Sequence, residues 1–160
     1  MSTLAVRPAL PADEIFMYEL YSALRTPEFE HTPLTPAQRE HLIRLQFRGQ
    51  MHTYTQMYPN SCYHIVLLDS KPVGRLWFAP GNSEFHLVDI AVHPKLQSKG
   101  IGTALVQRLQ QEATRARLPI RSMVSRFNPG SLRFHQRLGF QIVREDLMNY
   151  FMEWRPAPLV

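Results

Sequence analysis

One stretch limits what this chain can fold into more than any other, residues 84–113. Glu84-Phe85-His86-Leu87-Val88-Asp89-Ile90-Ala91-Val92 reads as a strand, and His93-Pro94-Lys95-Leu96 breaks it. Gln97-Ser98-Lys99-Gly100-Ile101-Gly102 follows, and Thr103-Ala104-Leu105-Val106-Gln107-Arg108-Leu109 continues as a helix. A strand, a glycine-containing loop and a helix in that order favour an anion. The first helical turn leaves backbone N–H groups without partners, and the helix dipole adds partial positive charge there. Gly100 and Gly102 carry no Cβ, so a bulky phosphate can come close to the main chain, and Lys99 adds a full charge. A diphosphate is the natural ligand of such a loop.

The spacing separates it from two better-known phosphate loops. Gly102 is followed by Thr103 and Ala104, so G-x-x-x-x-G-K-[ST] is excluded, and with only two glycines G-x-G-x-x-G is excluded too. Taken alone, two glycines one residue apart are as compatible with an ordinary helix start.

A second stretch narrows the reading. Gln97-x-x-Gly100-x-Gly102, after a strand ending Ile90-Ala91-Val92, resembles the acetyl-CoA motif of the GNAT superfamily of N-acetyltransferases. Asn128-Pro129 through Phe134-His135-Gln136-Arg137-Leu138-Gly139-Phe140 is similar to that family's later motif, Asn-x-x-Ala-x-x-Phe-Tyr-x-x-Leu-Gly-Phe. The two stand in the family's order and together cover residues 84–141, with weaker likeness over most of the chain. The resemblance implies acetyl-CoA as co-substrate, no metal, and an amine as acceptor.

Composition fits a globular domain. With 160 residues a single domain spanning 1–160 is expected, and 44% hydrophobic residues suffice for a core. Eighteen Lys+Arg against 13 Asp+Glu give a net charge of +5. That charge allows a nucleic acid, an acidic partner or a polyanionic co-substrate. The basic residues are scattered rather than clustered, so no nucleic-acid partner is expected, and coenzyme A suits a mildly basic protein. The one cysteine, Cys62, excludes an internal disulfide, fits a reducing cytoplasmic setting and is expected to be buried. No run approaches 18 apolar residues and no secretory leader is evident, so no membrane partner is expected. Homodimers are common in the family resembled.

Along the chain, residues 3–7 read as a short strand, 12–24 as a helix and 25–34 as a loop. Thr35-Pro36-Ala37-Gln38 is a helix start with a threonine cap, proline first and glutamine three after the cap. Ile43, Phe47, Met51, Tyr54 and Tyr58 then share one face, as core or as acceptor contacts, and Gly49 marks a kink or close approach. Residues 62–68 and 73–79 read as buried strands joined by a turn at 69–72, leading through 80–82 into the Glu84 strand. A helix over 101–117 presents Ile101, Leu105, Leu109, Ala113 and Ala116 inward. It leads to a strand at 120–124 that should lie parallel to the Glu84 strand. Asn128-Pro129 caps a helix ending at Leu138-Gly139, and 141–146 with 147–154 form a last strand pair. The sum is an α/β (α+β) fold: a mixed, largely antiparallel sheet of about seven strands with about four helices.

Acetyl transfer to an amine requires that the thioester be held, the amine deprotonated, the oxyanion stabilised and the leaving thiolate protonated. The resemblance assigns the main chain of Ile90, Ala91 and Val92 to pantetheine, with an oxyanion donor at Ile90 or Val92. It assigns the amides of Gln97, Ser98, Lys99, Gly100, Ile101, Gly102 and Thr103 to the diphosphate, and Asn128 to a further contact. A plain helix cap is the alternative for Asn128. The pattern breaks at the acid, where His135 stands in place of tyrosine. Ser131, Phe134, His135 and Leu138 share a helical face, so His135 points inward. With a reference pKa of about 6.5 against about 10 for tyrosine, its cation is the stronger acid. Ser131 is a substitute donor or a contact to bound water, and a packed histidine that transfers no proton is the alternative.

Glu84 and His86 share a strand face and are the candidate bases, His86 standing where several relatives carry a glutamate, with a solvated edge charge as the alternative for Glu84. Asp89 lies on the opposite face and calls for a fixed partner rather than a catalytic task. No H-E-x-x-H, cysteine cluster or G-x-S-x-G is present. The sequence thus points to an N-acetyltransferase acting by direct attack of a primary amine. A domain of the same fold that binds acyl-CoA without turnover remains the alternative, and a nucleic-acid or partner-binding module is a third.

Overall fold

The computed structural model describes residues 1–159. Among the described residues seven strands form a sheet in the order β1-β2-β3-β4-β5-β7-β6, with four α-helices, in keeping with the expected mixed α/β architecture. In chain order these are β1 (Leu4–Pro8), α1 (Glu14–Arg25), α2 (Pro36–Met57), β2 (Cys62–Leu68), β3 (Lys71–Ala79), β4 (Phe85–Val92), α3 (Ile101–Ala116), β5 (Ile120–Ser125), α4 (Pro129–Arg137), β6 (Gln141–Glu145) and β7 (Asn149–Trp154). The chain divides into two compact units. One is Met1–Trp77 with Asp89–Ile101, the other Phe78–Val88 with the described chain from Gly102 onward.

In the first unit β1 and β2 pair antiparallel, Leu4 opposite Leu68 through Pro8 opposite His64. Helix α2 begins as its sequence dictates. The Thr35 hydroxyl accepts from the Gln38 amide at 3.2 Å, and the Gln38 side chain accepts from the Thr35 amide at 2.9 Å, closing a capping box. The core here gathers Met17, Tyr21, Ile43, Phe47 and Ile65, with Met51 packed against it. Tyr54 is half-buried edge-on to Trp77, and Tyr58 lies past the last helical turn. Gly49 is exposed with nothing within 4 Å of where a Cβ would stand, and α2 runs through it unbroken, so it is neither a kink nor a close approach. Cys62 is exposed, against the expected burial, because it opens β2 ahead of the buried pair Ile65 and Val66. The stretch at 25–34 is not all loop, since Thr26–Phe29 forms a 3-10 turn. The turn after β2 is tighter than expected. Asp69 and Ser70 both take positive φ, 49° and 66°, the geometry of a two-residue hairpin, and β3 starts at once with Lys71.

In the second unit β4 pairs parallel with β5, Phe85 opposite Ile120 to Leu87 opposite Ser122, as the intervening helix requires. Strand β5 pairs antiparallel with β7, and β7 with β6, where the register skips Val143 in a bulge. Helix α3 buries Leu105, Val106, Leu109 and Ala113, while Ala116, expected inward, is exposed at its end. Helix α4 ends in a Schellman motif. The Phe140 amide donates to the His135 carbonyl at 3.1 Å and the Gly139 amide to the Gln136 carbonyl at 3.0 Å, with Gly139 at φ 89°. The rings of His135 and Phe140 pack together across the motif, centroids 5.2 Å apart. Leu138-Gly139-Phe140 is thus a helix stop written in three residues.

Candidate active site

The loop between β4 and α3 belongs to the first unit up to Ile101. Ile90 and Ala91 are half-buried and Val92 buried. The chain leaves β4 through a 3-10 turn at Pro94–Leu96, where the Lys95 amide bonds His93 Nδ1 at 3.3 Å. The Gln97 side chain donates to the Val92 carbonyl at 3.2 Å and folds the loop back on the strand end, and its amide donates to Pro94 at 3.4 Å. Gln97, Ser98, Lys99 and Gly100 form an exposed loop. Ser98 and Gly100 take left-handed backbone, φ 62° and 81°, on either side of Lys99. Residues of that handedness curl a loop into an anion-binding concavity, and here the helix starts at the next residue, Ile101. A Cβ on Gly100 would meet nothing within 4 Å, so its glycine answers to φ and leaves the approach open.

Gly102 and Thr103 open the second unit's share of α3. A Cβ on Gly102 would stand 3.3 Å from the Phe134 ring. The missing side chain therefore serves helix packing as well as any close approach of a ligand. Asn128 caps α4, its side chain accepting from the Ser131 amide at 3.0 Å.

His135 is 4% exposed. Its Nδ1 donates to the Ser131 carbonyl at 2.8 Å, with the Ser131 hydroxyl 3.4 Å away. Its Nε2 lies 3.1 Å from the Ser122 hydroxyl. Burial lowers its pKa from 6.5, the Ser131 carbonyl opposing that in part, so the ring is neutral at neutral pH. In the neutral ring Nε2 is the acceptor. The Ser122 hydroxyl also lies 3.2 Å from the Leu87 carbonyl, and its one proton serves one partner at a time. Ser122 is absent from the sequence-derived candidates. Its signal was a polar residue at an inward position, between buried Ile120 and Val124 in a strand of strict alternation.

Glu84 and His86 are in contact, Glu84 Oε1 3.1 Å from His86 Nε2. Glu84 stands one residue ahead of β4 and is not a lone solvated charge, since its Oε2 lies 2.7 Å from Arg121 Nε. Asp89 finds the partner the sequence called for in Arg75, Nε to Oδ2 2.5 Å, with the guanidinium 3% exposed. Arg75 also donates to Gln50 of α2 at 2.9 Å. Burial raises the pKa of nearby Tyr54 and pushes Tyr63 up to about 12, so neither phenol is a base at neutral pH.

Among the described residues no group of three His, Cys, Asp or Glu side chains is placed to hold a metal ion. No described helix is long and apolar enough to cross a membrane.

Residues 16–140 match the acetyltransferase (GNAT) family. Among solved structures the chain is similar to the PaiA N-acetyltransferase of Thermoplasma acidophilum in complex with coenzyme A, with a TM-score of 0.71 and 17% identity over 96% of this chain and 99% of that one. It is similar to an acetyltransferase from Thermus thermophilus, with a TM-score of 0.68 and 17% identity over 96% and 97% of the two chains. Ard1 from Thermoplasma volcanium aligns with a TM-score of 0.63 and 17% identity over 97% and 99%. At these identities the likeness speaks for the fold. No curated protein matches the chain in sequence.

Proposed function

The chain belongs to the GNAT acetyltransferase family, and we propose that it is an N-acetyltransferase that moves an acetyl group from acetyl-CoA to a primary amine by direct attack. The observation that carries this is the loop of residues 97–100, with left-handed Ser98 and Gly100, running straight into the first turn of α3. Bound there, acetyl-CoA supplies an activated acyl thioester. The likeness to a neighbour crystallised with coenzyme A supports the choice.

In this reading residues 1–160 are one N-acetyltransferase domain acting in the cytoplasm, with no metal, nucleic acid or membrane involved. The main chain of Ile90, Ala91 and Val92 receives the pantetheine as an added strand would, and an N–H of Ile90 or Val92 faces the thioester oxygen. Amides of Gln97 through Thr103 hold the diphosphate, Lys99 adds charge, and Asn128 and Ser131 line the later contact. Glu84 and His86 accept the amine's proton.

His135 is the candidate acid. Its Nε2 must carry a proton to serve, and burial disfavours that charged ring. The same observation favours a second reading, an acyl-CoA-binding domain with little turnover.

Calorimetric titration with acetyl-CoA, followed by thiol release across a panel of amines, tests both. Binding with amine-dependent thiol release supports the first reading. Binding without release supports the second, and absence of binding overturns both.

A further inference from the structure

Four charged side chains cross the strands of the second unit in alternating sign: Glu84, Arg121, Glu153 and Arg155. The registers bring them together. The parallel pairing of β4 with β5 sets His86 beside Arg121, and the antiparallel pairing of β5 with β7 sets Arg121 beside Glu153. Arg121 Nε lies 2.7 Å from Glu84 Oε2 and 3.0 Å from Glu153 Oε2, and Arg121 Nη2 lies 2.9 Å from Glu153 Oε2. Glu153 Oε1 holds Arg155 Nε at 2.5 Å.

Exposure is uneven along the network. The Glu153 side chain is 9% exposed, Glu84 29%, His86 32%, Arg121 47% and Arg155 68%. Glu153 is its buried anchor, and His86 is accessible. A partly exposed carboxylate and imidazole two residues apart form a soft pair by themselves. A guanidinium braced from the other side fixes the carboxylate.

We infer that Arg121, braced by Glu153, is a positioning residue that holds Glu84 against His86 and so makes the imidazole the group that takes the acceptor's proton. The inference rests on the amine-acetylation reading and assigns the proton to one of its two candidate bases. A carboxylate only accepts, so His86 Nε2 carries the hydrogen toward Glu84 Oε1, and in the neutral ring the lone pair is on Nδ1. The ammonium of the acceptor gives its proton to that nitrogen, directly or through one water. The amine nitrogen keeps the electron pair it needs for attack, and the new imidazolium is balanced by Glu84. Glu84 positions, and its own two oxygens stay engaged.

The test uses the full chain with Arg121→Gln, Arg121→Lys, Glu84→Gln and the double variant Arg121→Gln/Glu84→Gln. Arg121→Gln is expected to lower kcat about tenfold with KM for acetyl-CoA within about twofold, as loss of orientation at a base predicts. Arg121→Lys keeps one charge without the fork and recovers part of the loss. Since Arg121 acts through Glu84, the double variant falls no further than Glu84→Gln alone.

Nitrogen-15 spectra of the His86 ring, assigned with His86→Gln, give a readout independent of turnover. The Nε2–H form is dominant in the wild-type protein and averaged in Arg121→Gln. Wild-type kcat in Arg121→Gln, losses that add in full, or an unchanged Nε2–H signal overturns the inference. If the wild-type protein releases thiol with no amine, the acetylation reading fails while the ring spectra still decide what Arg121 does.

Discussion

The imidazole of His135 and the hydroxyl of Ser122 are paired inside the second unit at 3.1 Å, joining α4 to β5 by one hydrogen bond. Ser122→Ala removes the hydroxyl whose one proton is shared between the neutral ring's Nε2 and the Leu87 carbonyl. A buried acceptor left unsatisfied costs about 1–3 kcal/mol, to be read from urea denaturation at pH 7.5.

The same histidine makes stability depend on pH. Its folded pKa is depressed by burial below 6.5, so the folded state resists taking up a proton that the unfolded chain accepts. The stabilisation is present above the unfolded value of about 6.5 and is lost as pH falls through and below it. Between pH 7.5 and 5 the wild-type protein loses more stability than His135→Asn does. Parallel denaturation curves at the two pH values check this, and equal losses would show that the ring is not the titrating group.

His135→Ala separates chemistry from packing. If the imidazole reprotonates the thiolate, kcat falls at least about tenfold while acetyl-CoA affinity changes little. Single-turnover thiol release and calorimetry measure the two, and an unchanged turnover number removes His135 from the mechanism.

Gly102→Ala sets a methyl 3.3 Å from the Phe134 ring and crowds the contact between α3 and α4. A loss of about 1 kcal/mol is expected from overpacking, and Phe134→Leu in the same chain should return most of it. Thermal unfolding of the single and double variants settles whether packing is the cause.

Asp13 is 9% exposed and takes both arms of Arg7, at 2.7 and 2.8 Å, and the Leu10 amide at 2.7 Å. The Arg7 hydrogen bonds, and then the Leu10 amide, lower its pKa to about 2. This stabilisation is complete above the ordinary carboxylate value of 3.8 and lost as pH falls toward about 2. Acid unfolding of Asp13→Asn should therefore lack the part of the transition that wild type shows in that window.

Much of the fold was legible because its signals are local. The capping box at Thr35 and Gln38, the cap at Asn128 and the α3 stripe each lie within a few residues of sequence. The need for a partner at Asp89 was legible from strand alternation, but Arg75 was not, since its place depends on how two strands pair. Arg121 and Glu153 were missed for the same reason: three strands and their registers bring them to Glu84. Ser122 was within reach as a lone hydroxyl on a buried face. Gly102 was read for the ligand alone, because the ring it makes room for belongs to Phe134, on the next helix along the chain.

The closing turn of α4 bears on how relatives of this protein are recognised. Leu138-Gly139-Phe140 spells an architectural stop, a left-handed glycine followed by an amide that closes on the last turn and a ring packed on His135. A search keyed to that tripeptide detects a terminated helix, whether or not the chain turns over. The serine and imidazole that β5 and α4 bring face to face lie outside that tripeptide, and their part in turnover is what the His135→Ala measurement decides.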